Sequence, residues 1–277
     1  MPQTAAKQRK AEEAVKKIRL PSCPMILTRL LREMRADEPD FVQVAKLISS
    51  DVSLAGSMLQ TVNSPFYGLR VKIGSVQHAL NVIGLRNVTQ IVTGLLLRDA
   101  FQSRATKKMQ AYWKSTFRIA LVNACLARAL VVSDRDEAYT FALFRDCGVL
   151  AMMSDVPQYE PLLPGAEICG RRAIDIEDER HGINHAAIGY YLTKSWFMPE
   201  QLCEAVLRHH EYLALPAGLS RASVEHVALA IAAEWLFLRK IGRAESQEWA
   251  EAGAFALETL GTTEAALLQV VQGLEML

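Results

Sequence analysis

Residues 86–102, RNVTQIVTGLLLRDAFQ, decide the fold class. Wound as a helix, this stretch is apolar on nearly every side, which is typical of a helix in the middle of a bundle. The rest of the chain has no useful run with the alternating period of a strand, and prolines separate its long helical patterns. The sequence therefore predicts an all-α protein.

The helices that precede this stretch have recognisable ends. A short helix is predicted to end at Gly84, immediately before it. Asp51 is the predicted N-cap of an earlier helix. That helix ends at residues 63–68, NSPFYG, because proline cannot continue the hydrogen-bond ladder. Ser22 is predicted to cap a helix that begins near Pro24.

A polar stretch over 102–108 separates these helices from the second half of the chain. Further helices are predicted there near residues 109–132, 135–154, 184–197, 199–213, 222–241, 246–260 and 263–274. Residues 155–183 are less regular, because three prolines precede an acidic run. We therefore expect a two-lobed helical protein with an irregular segment inside its second lobe.

Composition and charge narrow the class of protein. The 277 residues are 51% hydrophobic and 22% charged, which is ordinary for a globular protein and excludes a disordered chain. The net charge is +1, which argues against a nucleic-acid backbone as the main partner, since phosphate neutralisation needs clustered cations. Residues 5–18 are basic and predict a helix, either a solvated leader or a patch for nucleic acid or a membrane surface. No Trp or Phe stands on its opposite face, which favours the leader.

Cysteines and apolar runs indicate the compartment. Five cysteines without a CxxC spacing predict neither a disulfide scaffold nor a structural zinc site. The first 19 residues lack the apolar core of a secretory signal. Apolar runs such as 91–97 are much shorter than the roughly 20 residues that a membrane-spanning helix needs. We expect a cytoplasmic protein without membrane insertion.

Polar residues fall on the apolar faces of three predicted helices. These residues are Asp146, His185 and His209, and His210 follows the last of them. A buried carboxylate needs a donor, a cation or a metal, and histidine can donate or ligate. Two interpretations follow: a divalent-metal site for phosphoester hydrolysis, or a satisfied polar network in the core. No two of these three histidines stand at i, i+4, so spacing alone favours the network.

The chain resembles the HDOD family, the HD-related output domains of bacterial signalling proteins. The resemblance covers about residues 20–215 and rests on Leu20-Pro21-Ser22-Cys23-Pro24, Ile48 to Asp51, NSPFYG, Ala79-Leu80, Ile83-Gly84, Trp113, Thr116, Asp146-Cys147-Gly148, His185 to Gly189, Trp196, Pro199 and His209-His210. It implies an N-terminal helical bundle and an HD-domain-like helical lobe. We expect a basic leader helix over 1–19, an HDOD domain over 20–215 with lobes of about 20–105 and 109–215, and a C-terminal helical extension over 216–277.

The wider superfamily contains HD and HD-GYP metal phosphohydrolases, whose pattern needs an early His, a His-Asp pair and a late Asp. In this chain those positions fall on Ser115, on Arg145 followed by Asp146, and near Ala230-Ile231. The chain also matches HD-GYP positions at His185, His209, His210 and Glu211, but no GYP-like segment follows. Arg145 would place a fixed positive charge beside the site, which disfavours a metal.

The resemblance therefore implies a degenerate hydrolase without catalytic residues or cofactors. No metal is expected, and a divalent ion, if held, would use Asp146, His185, His209 and His210. The implied function is a regulatory module that binds signalling proteins in trans (a response regulator, a GGDEF or EAL protein, or a kinase) through a helical surface or interlobe groove. Cyclic-di-GMP and two-component networks are the implied context. The alternatives are a metal-dependent phosphohydrolase acting on a nucleotide or cyclic nucleotide, and a nucleic-acid-associated regulator that uses residues 7–19.

Overall fold

The computed structural model describes residues 18–64, 67–102, 106–159, 172–212, 219–243 and 246–272. Within these ranges the regular elements are α-helices, which confirms the predicted all-α class. The described residues between 22 and 102 form an N-terminal unit, and those between 106 and 272, together with 18–21, form a C-terminal unit. The leader helix predicted over 1–19 falls almost entirely outside the described residues.

The N-terminal unit is built around one long apolar helix. Its helices are α1 (Met25–Glu33), α2 (Phe41–Ser49), α3 (Val52–Val62) and α4 (Val76–Gln102). Helices α1, α2 and α3 all pack against α4. Gly84, with φ of 81° and ψ of 162°, divides α4 at the predicted helix end. The stretch after Gly84 supplies buried core residues such as Val88 and Leu97.

Helix caps in this unit follow the predictions with one exception. Asp51 accepts a hydrogen bond from the backbone N–H of Leu54 at 3.0 Å and so caps α3. Ser22 does not cap α1, whose N-cap is Pro24, because Ser22 lies two residues too early to reach the first free N–H groups.

The Asn63 amide closes the loop that follows α3. It accepts from the backbone N–H of Ile73 and donates to the backbone carbonyl of Ile73, both at 2.8 Å. The asparagine that opens the NSPFYG stretch therefore substitutes for a backbone partner at both polar groups of Ile73.

The C-terminal unit contains nine helices in its described residues. They are α5 (Lys107–Leu130), α6 (Arg135–Arg145), α7 (Cys147–Asp155), α8 (Ala173–His181), α9 (His185–Ser195), α10 (Glu200–Arg208), α11 (Arg221–Lys240), α12 (Gln247–Leu260) and α13 (Glu264–Gln272). Helix α11 is central, because it packs against α5, α6, α10, α12 and α13 and is buried along most of its length. The helices that follow residue 215 are thus part of the same compact unit as α5 to α10.

Three local predictions in this unit are corrected. The single helix predicted over 135–154 is two helices, because Asp146 leaves the helical region with φ of −107° and ψ of 21°. The helix predicted over 199–213 ends at Arg208, and a turn follows. The segment predicted to be irregular contains α8, whose last turn ends at the left-handed Gly182.

Two glycines allow α7 and α9 to pack with their backbones in close contact. A Cβ on Gly148 would lie 2.0 Å from the carbonyl oxygen of His185, and a Cβ on Gly189 would lie 3.4 Å from the Cys147 thiol of α7 and 2.9 Å from a methyl of Val206 in α10. Only a hydrogen fits at Gly148 unless the two helices separate. The Asp146-Cys147-Gly148 triplet therefore brings Asp146 next to the start of α9.

One helix has the length and apolar composition that a membrane-crossing helix needs. It spans Val76–Phe101, and 61% of its most apolar window is buried inside the protein, as is usual for the core helix of a bundle.

Candidate functional site

Four residues from three places in the C-terminal unit converge on one buried point. Asp146 lies at the break between α6 and α7, His185 begins α9, and His209 and His210 form the turn after α10. One ligand atom from each of the four lies within 4.8 Å of the others. We call these four residues the acid–imidazole cluster. They are the four residues that the sequence grouped as candidate ligands.

Each imidazole is anchored through its Nδ1. His185 Nδ1 lies 2.7 Å from Glu177, His209 Nδ1 lies 2.7 Å from the backbone carbonyl of Val206, and His210 Nδ1 lies 3.2 Å from Glu248. A carbonyl or carboxylate oxygen accepts only, so the hydrogen bonds of His185 and His209 place the ring proton on Nδ1, and the carboxylate charge 3.2 Å from His210 Nδ1 favours the proton on that nitrogen as well. With the ring protons on Nδ1, the three Nε2 atoms keep their lone pairs.

The free Nε2 atoms face one another and the carboxylate. His185 Nε2 lies 3.3 Å from His209 Nε2 and 3.0 Å from His210 Nε2. Asp146 Oδ1 lies 3.3 Å from His209 Nε2 and 3.6 Å from His185 Nε2. Four lone pairs at such distances in a buried site repel one another unless a cation or an additional proton lies between them.

Arg145 holds the other oxygen of Asp146. Its Nε and Nη2 donate to Asp146 Oδ2 at 2.9 and 2.6 Å, and Nη2 also donates to Glu234 at 2.5 Å. Arg145 is buried, which tends to lower its pKa, but the negative charges of Asp146 and Glu234 outweigh burial and raise that pKa. The guanidinium is thus a permanent internal cation that leaves Asp146 Oδ1 directed at the imidazoles.

The three histidines of the cluster differ in pKa. Burial tends to lower the pKa of His185, but ionised Glu177 raises it above the ordinary value. Burial and the neighbouring His210 lower the pKa of His209 to about 4. Burial and the neighbouring His185 lower the pKa of His210 to about 3. Where the cluster holds a proton in place of a metal, His185 therefore carries it.

Carboxylates outside the acid–imidazole cluster surround it. Glu177 accepts from the backbone N–H of His185 at 2.8 Å and from the Tyr159 hydroxyl at 2.6 Å. Burial, reinforced by Glu248 and Asp146, raises the pKa of Glu234 to about 7 against the opposing pull of Arg145. Glu177, Glu234 and Asp146 are nearly inaccessible to solvent. The excess of buried carboxylates favours a cation or an additional proton in the site.

Two positions that the sequence comparison considered, Ser115 and Glu211, make their contacts outside the acid–imidazole cluster. Ser115 donates to the carbonyl of Ala111 on its own helix at 3.3 Å. Glu211 pairs with Arg208 at 3.7 Å rather than with the acid–imidazole cluster. Tyr112, one turn before Ser115, is buried near Asp146, and burial together with the charge of Asp146 raises its pKa. Helix α5 therefore approaches the site with Tyr112 and not with Ser115.

Sequence reasoning missed Glu177, Glu234 and Glu248. Glu234 had a signal, because it is an isolated carboxylate in the apolar run of α11, one turn after the Ala230-Ile231 position considered for the late Asp. Glu177 was concealed in an acidic run typical of a solvated face. Glu248 had no signal, since an acidic residue in the first turn of a helix is common.

The acid–imidazole cluster fits one divalent transition-metal ion. Four ligands at about 2.0–2.2 Å from a tetrahedral ion are separated from one another by about 3.3–3.6 Å. Four of the six pairs of Nε2 and Oδ1 atoms are separated by 3.0 to 3.6 Å, and one ligand atom of each residue lies within 4.8 Å of the others. A ligand set of three imidazoles and one carboxylate favours Zn²⁺, Fe²⁺ or Co²⁺ over Mg²⁺. A second ion would need further ligands, and the first of these would come from the His of a His-Asp pair. Arg145 stands at that position and supplies no ligand.

Comparisons with known proteins agree on the fold. An uncharacterized protein of Treponema pallidum (strain Nichols) is 28% identical over 202 residues, and this chain spans only 38% of its length. A solved HDOD domain protein of unknown function from Geobacter sulfurreducens superposes with a TM-score of 0.72 at 19% identity, covering 98% of this chain and 94% of the other.

Two further solved structures carry functional names. One is provisionally named a phosphohydrolase, from Shewanella amazonensis SB2B, with a TM-score of 0.71 at 18% identity over 97% of this chain and 94% of the other. The other is provisionally named a signal transduction protein, from Marinobacter aquaeolei VT8, with a TM-score of 0.71 at 20% identity over 97% of this chain and 63% of the other. At such identities these likenesses support the fold alone. Since the HDOD domain also matches this sequence over residues 20–212, the chain belongs to the HDOD family, as its motifs indicated.

Proposed function

We propose that this chain is a non-catalytic regulatory module that acts by binding signalling proteins in trans. The observation that carries the proposal is the buried Arg145, which bridges Asp146 and Glu234 where an HD hydrolase needs a His-Asp pair of metal ligands. A fixed guanidinium cannot give up a proton or bind a metal ion, and it occupies one oxygen of Asp146 permanently. What remains is a rigid helical unit with a hydrogen-bonded polar core.

The partners that we propose are proteins of bacterial signalling, of the response-regulator, GGDEF or EAL, or kinase type, in cyclic-di-GMP or two-component networks. The proposal is supported by membership of the HDOD family and by the relative from Marinobacter aquaeolei that is named for signal transduction. A cytoplasmic location is part of the same proposal. Binding would use the helical surface, and the buried site would keep the unit in one conformation.

A second candidate function is metal-dependent phosphohydrolysis of a nucleotide or cyclic nucleotide. It is favoured by the four ligand atoms that lie within 4.8 Å of one another. A divalent ion held there by Asp146, His185, His209 and His210 would polarise a phosphoryl oxygen or lower the pKa of a bound water. The chain's own residues would orient the ion, because Glu177, Val206 and Glu248 fix the three rings.

One turnover experiment separates the two functions. The purified full chain, loaded in turn with Mn²⁺, Fe²⁺, Co²⁺ and Zn²⁺, is assayed with p-nitrophenyl phosphate, bis(p-nitrophenyl) phosphate and cyclic-di-GMP. We expect rates equal to those of the metal alone, with no difference between the wild type and Asp146→Ala. Turnover that is clear in the wild type and lost in Asp146→Ala would establish the hydrolase and refute the regulatory module. Glu211→Ala, a nearby carboxylate that pairs with Arg208, is the matched control.

A further inference from the structure

Glu248 stands in the first turn of α12, outside the residues that match the HDOD domain. Its place is fixed by its neighbours. The Ser246 hydroxyl accepts from the backbone N–H of Trp249 at 3.2 Å and caps the helix. The Trp249 ring then stacks on Trp235 of α11 at 4.2 Å between centroids, with 10° between the planes. Helix α12 is thereby attached to the central helix, and Glu248 is directed at His210.

His210 depends on this contact more than the other two imidazoles depend on theirs. His185 is held twice by Glu177, through its ring and its backbone N–H, and His209 is held by a carbonyl three residues earlier on its own chain. The His210 ring lies in a turn, and its Nδ1 contact among the described residues is with Glu248 alone.

Without an acceptor at Nδ1, His210 has a better alternative. Its proton could move to Nε2 and be donated to His185 Nε2, which is 3.0 Å away. That hydrogen bond would satisfy two of the free lone pairs and close the acid–imidazole cluster to a cation. With a carboxylate at Nδ1 the proton stays on Nδ1, and the His210 Nε2 lone pair remains available.

We propose that Glu248 is a positioning residue, which holds His210 in its Nδ1–H tautomer so that the acid–imidazole cluster binds a single divalent transition-metal ion. The C-terminal helices, which the family match does not cover, thus complete the site of the HDOD domain. The inference does not depend on hydrolysis, because a single ion can have a structural or sensing role in a module without turnover.

The test uses Co²⁺, whose visible absorption reports the ligand set, and ¹⁵N-histidine NMR of the metal-free full chain, which reports the tautomer of each ring. Glu248→Leu removes the acceptor, and Glu248→Gln keeps a carbonyl that can accept. Glu251→Leu, one turn along α12, is the matched control, since Glu251 accepts from the Tyr212 hydroxyl instead. Metal-free melting temperatures of all variants separate an effect on stability from an effect on the ring.

We expect one Co²⁺ per wild-type chain and a loss of affinity of about 10–100-fold in Glu248→Leu, with a smaller loss in Glu248→Gln and no change in Glu251→Leu. We also expect an Nδ1–H signal for His210 that becomes Nε2–H in Glu248→Leu. The inference is overturned if the wild type binds no Co²⁺, if it binds two ions, or if Glu248→Leu binds as tightly as the wild type. If Glu248→Leu does not fold, the wild-type tautomer decides: Nε2–H on His210 refutes the inference, and Nδ1–H with weakened binding in Glu248→Gln supports it.

Discussion

His226 is a buried histidine of α11 whose surroundings favour its neutral form. Its Nε2 forms a 2.8 Å hydrogen bond with the Ser133 hydroxyl, and its ring stacks on Phe141 at 5.8 Å between centroids. Burial lowers the pKa of His226 from 6.5 to about 4. Between these two values the unfolded chain binds a proton at this position that the folded chain does not bind.

This difference predicts a loss of stability in acid. As the pH falls from about 7 to about 5, His226 should cost the wild type about 2 kcal/mol of unfolding free energy, with a larger total cost near pH 4. His226→Gln keeps a hydrogen-bonding side chain but cannot titrate. Urea unfolding at a series of pH values should therefore show the variant gaining about 2 kcal/mol relative to the wild type over that range. Parallel pH profiles for the two proteins would contradict the assignment.

Single residues also mark where sequence reasoning succeeded and where it stopped. Asp146 could be recognised, because a carboxylate on an apolar helical face must find a partner. Arg145 could be recognised as a departure from the His-Asp pair, but its partner Glu234 is 89 positions away and no local pattern joins them. In a continuous helix the two neighbouring side chains would point about 100° apart. The break at Asp146, which only tertiary packing explains, directs both into one site.

Among the elements, the contact between α7 and α9 is the one that assembles the site. Gly148 lies against the backbone at His185, and the Cys147 thiol lies 3.9 Å from the Gly189 carbonyl. This close approach sets the distance between Asp146 and His185. A side chain at Gly148 would have to push the start of α9 away, because the nearest atom is a backbone oxygen rather than the end of a flexible side chain.

Gly148→Ala should therefore destabilise the protein by about 3 kcal/mol, at the upper end of the range for overpacked cores. The matched control is Gly56→Ala in the exposed interior of α3, where a Cβ meets no atom within 4 Å. That change should stabilise by about 0.5–1 kcal/mol, because alanine favours the helix. Chemical denaturation of both variants checks the pair. A Gly148→Ala protein as stable as Gly56→Ala would show that α7 and α9 are not in such close contact.

Helix boundaries were the most predictable part of the fold. Caps and apolar stripes are local signals, so α11, predicted over 222–241, spans Arg221–Lys240. The single helix predicted over 135–154 was wrong, because nothing in its own sequence opposes continuation through Asp146. Helix α8 was missed, because an acidic run conceals the one carboxylate, Glu177, that turns inward.

For the whole molecule, the helices after residue 215 belong to the C-terminal unit. The sequence match with the family ends at residue 212, but α11 supplies Trp235 and many other buried residues to the core of this unit. Each large apolar side chain that α11 buries contributes about 1.5–3 kcal/mol, so the unit lacks most of its central layer without it. Arg145 would also lose Glu234, one of the carboxylates it pairs with among the described residues.

A chain shortened to residue 212 should therefore lose the cooperative unfolding of the C-terminal unit. Near-UV circular dichroism and thermal melting would detect the loss. A chain that ends at Gly261 is the comparison: it lacks α13 but keeps α11 and α12, and it should melt cooperatively at a lower temperature. Native near-UV signals and a sharp transition in the shorter chain would mean that α11 is dispensable.

The glycine at 148 has a consequence for surveys of bacterial genomes. Ligand residues alone are a poor guide to which relatives keep an assembled site, because the site also needs the close backbone contact of α7 with the start of α9. A relative with any β-carbon at the position of Gly148 would be unable to bring its acidic residue to the imidazole at the head of α9, even with all four ligand residues present. The residue at this position can therefore separate relatives that can assemble the acid–imidazole cluster from relatives that cannot.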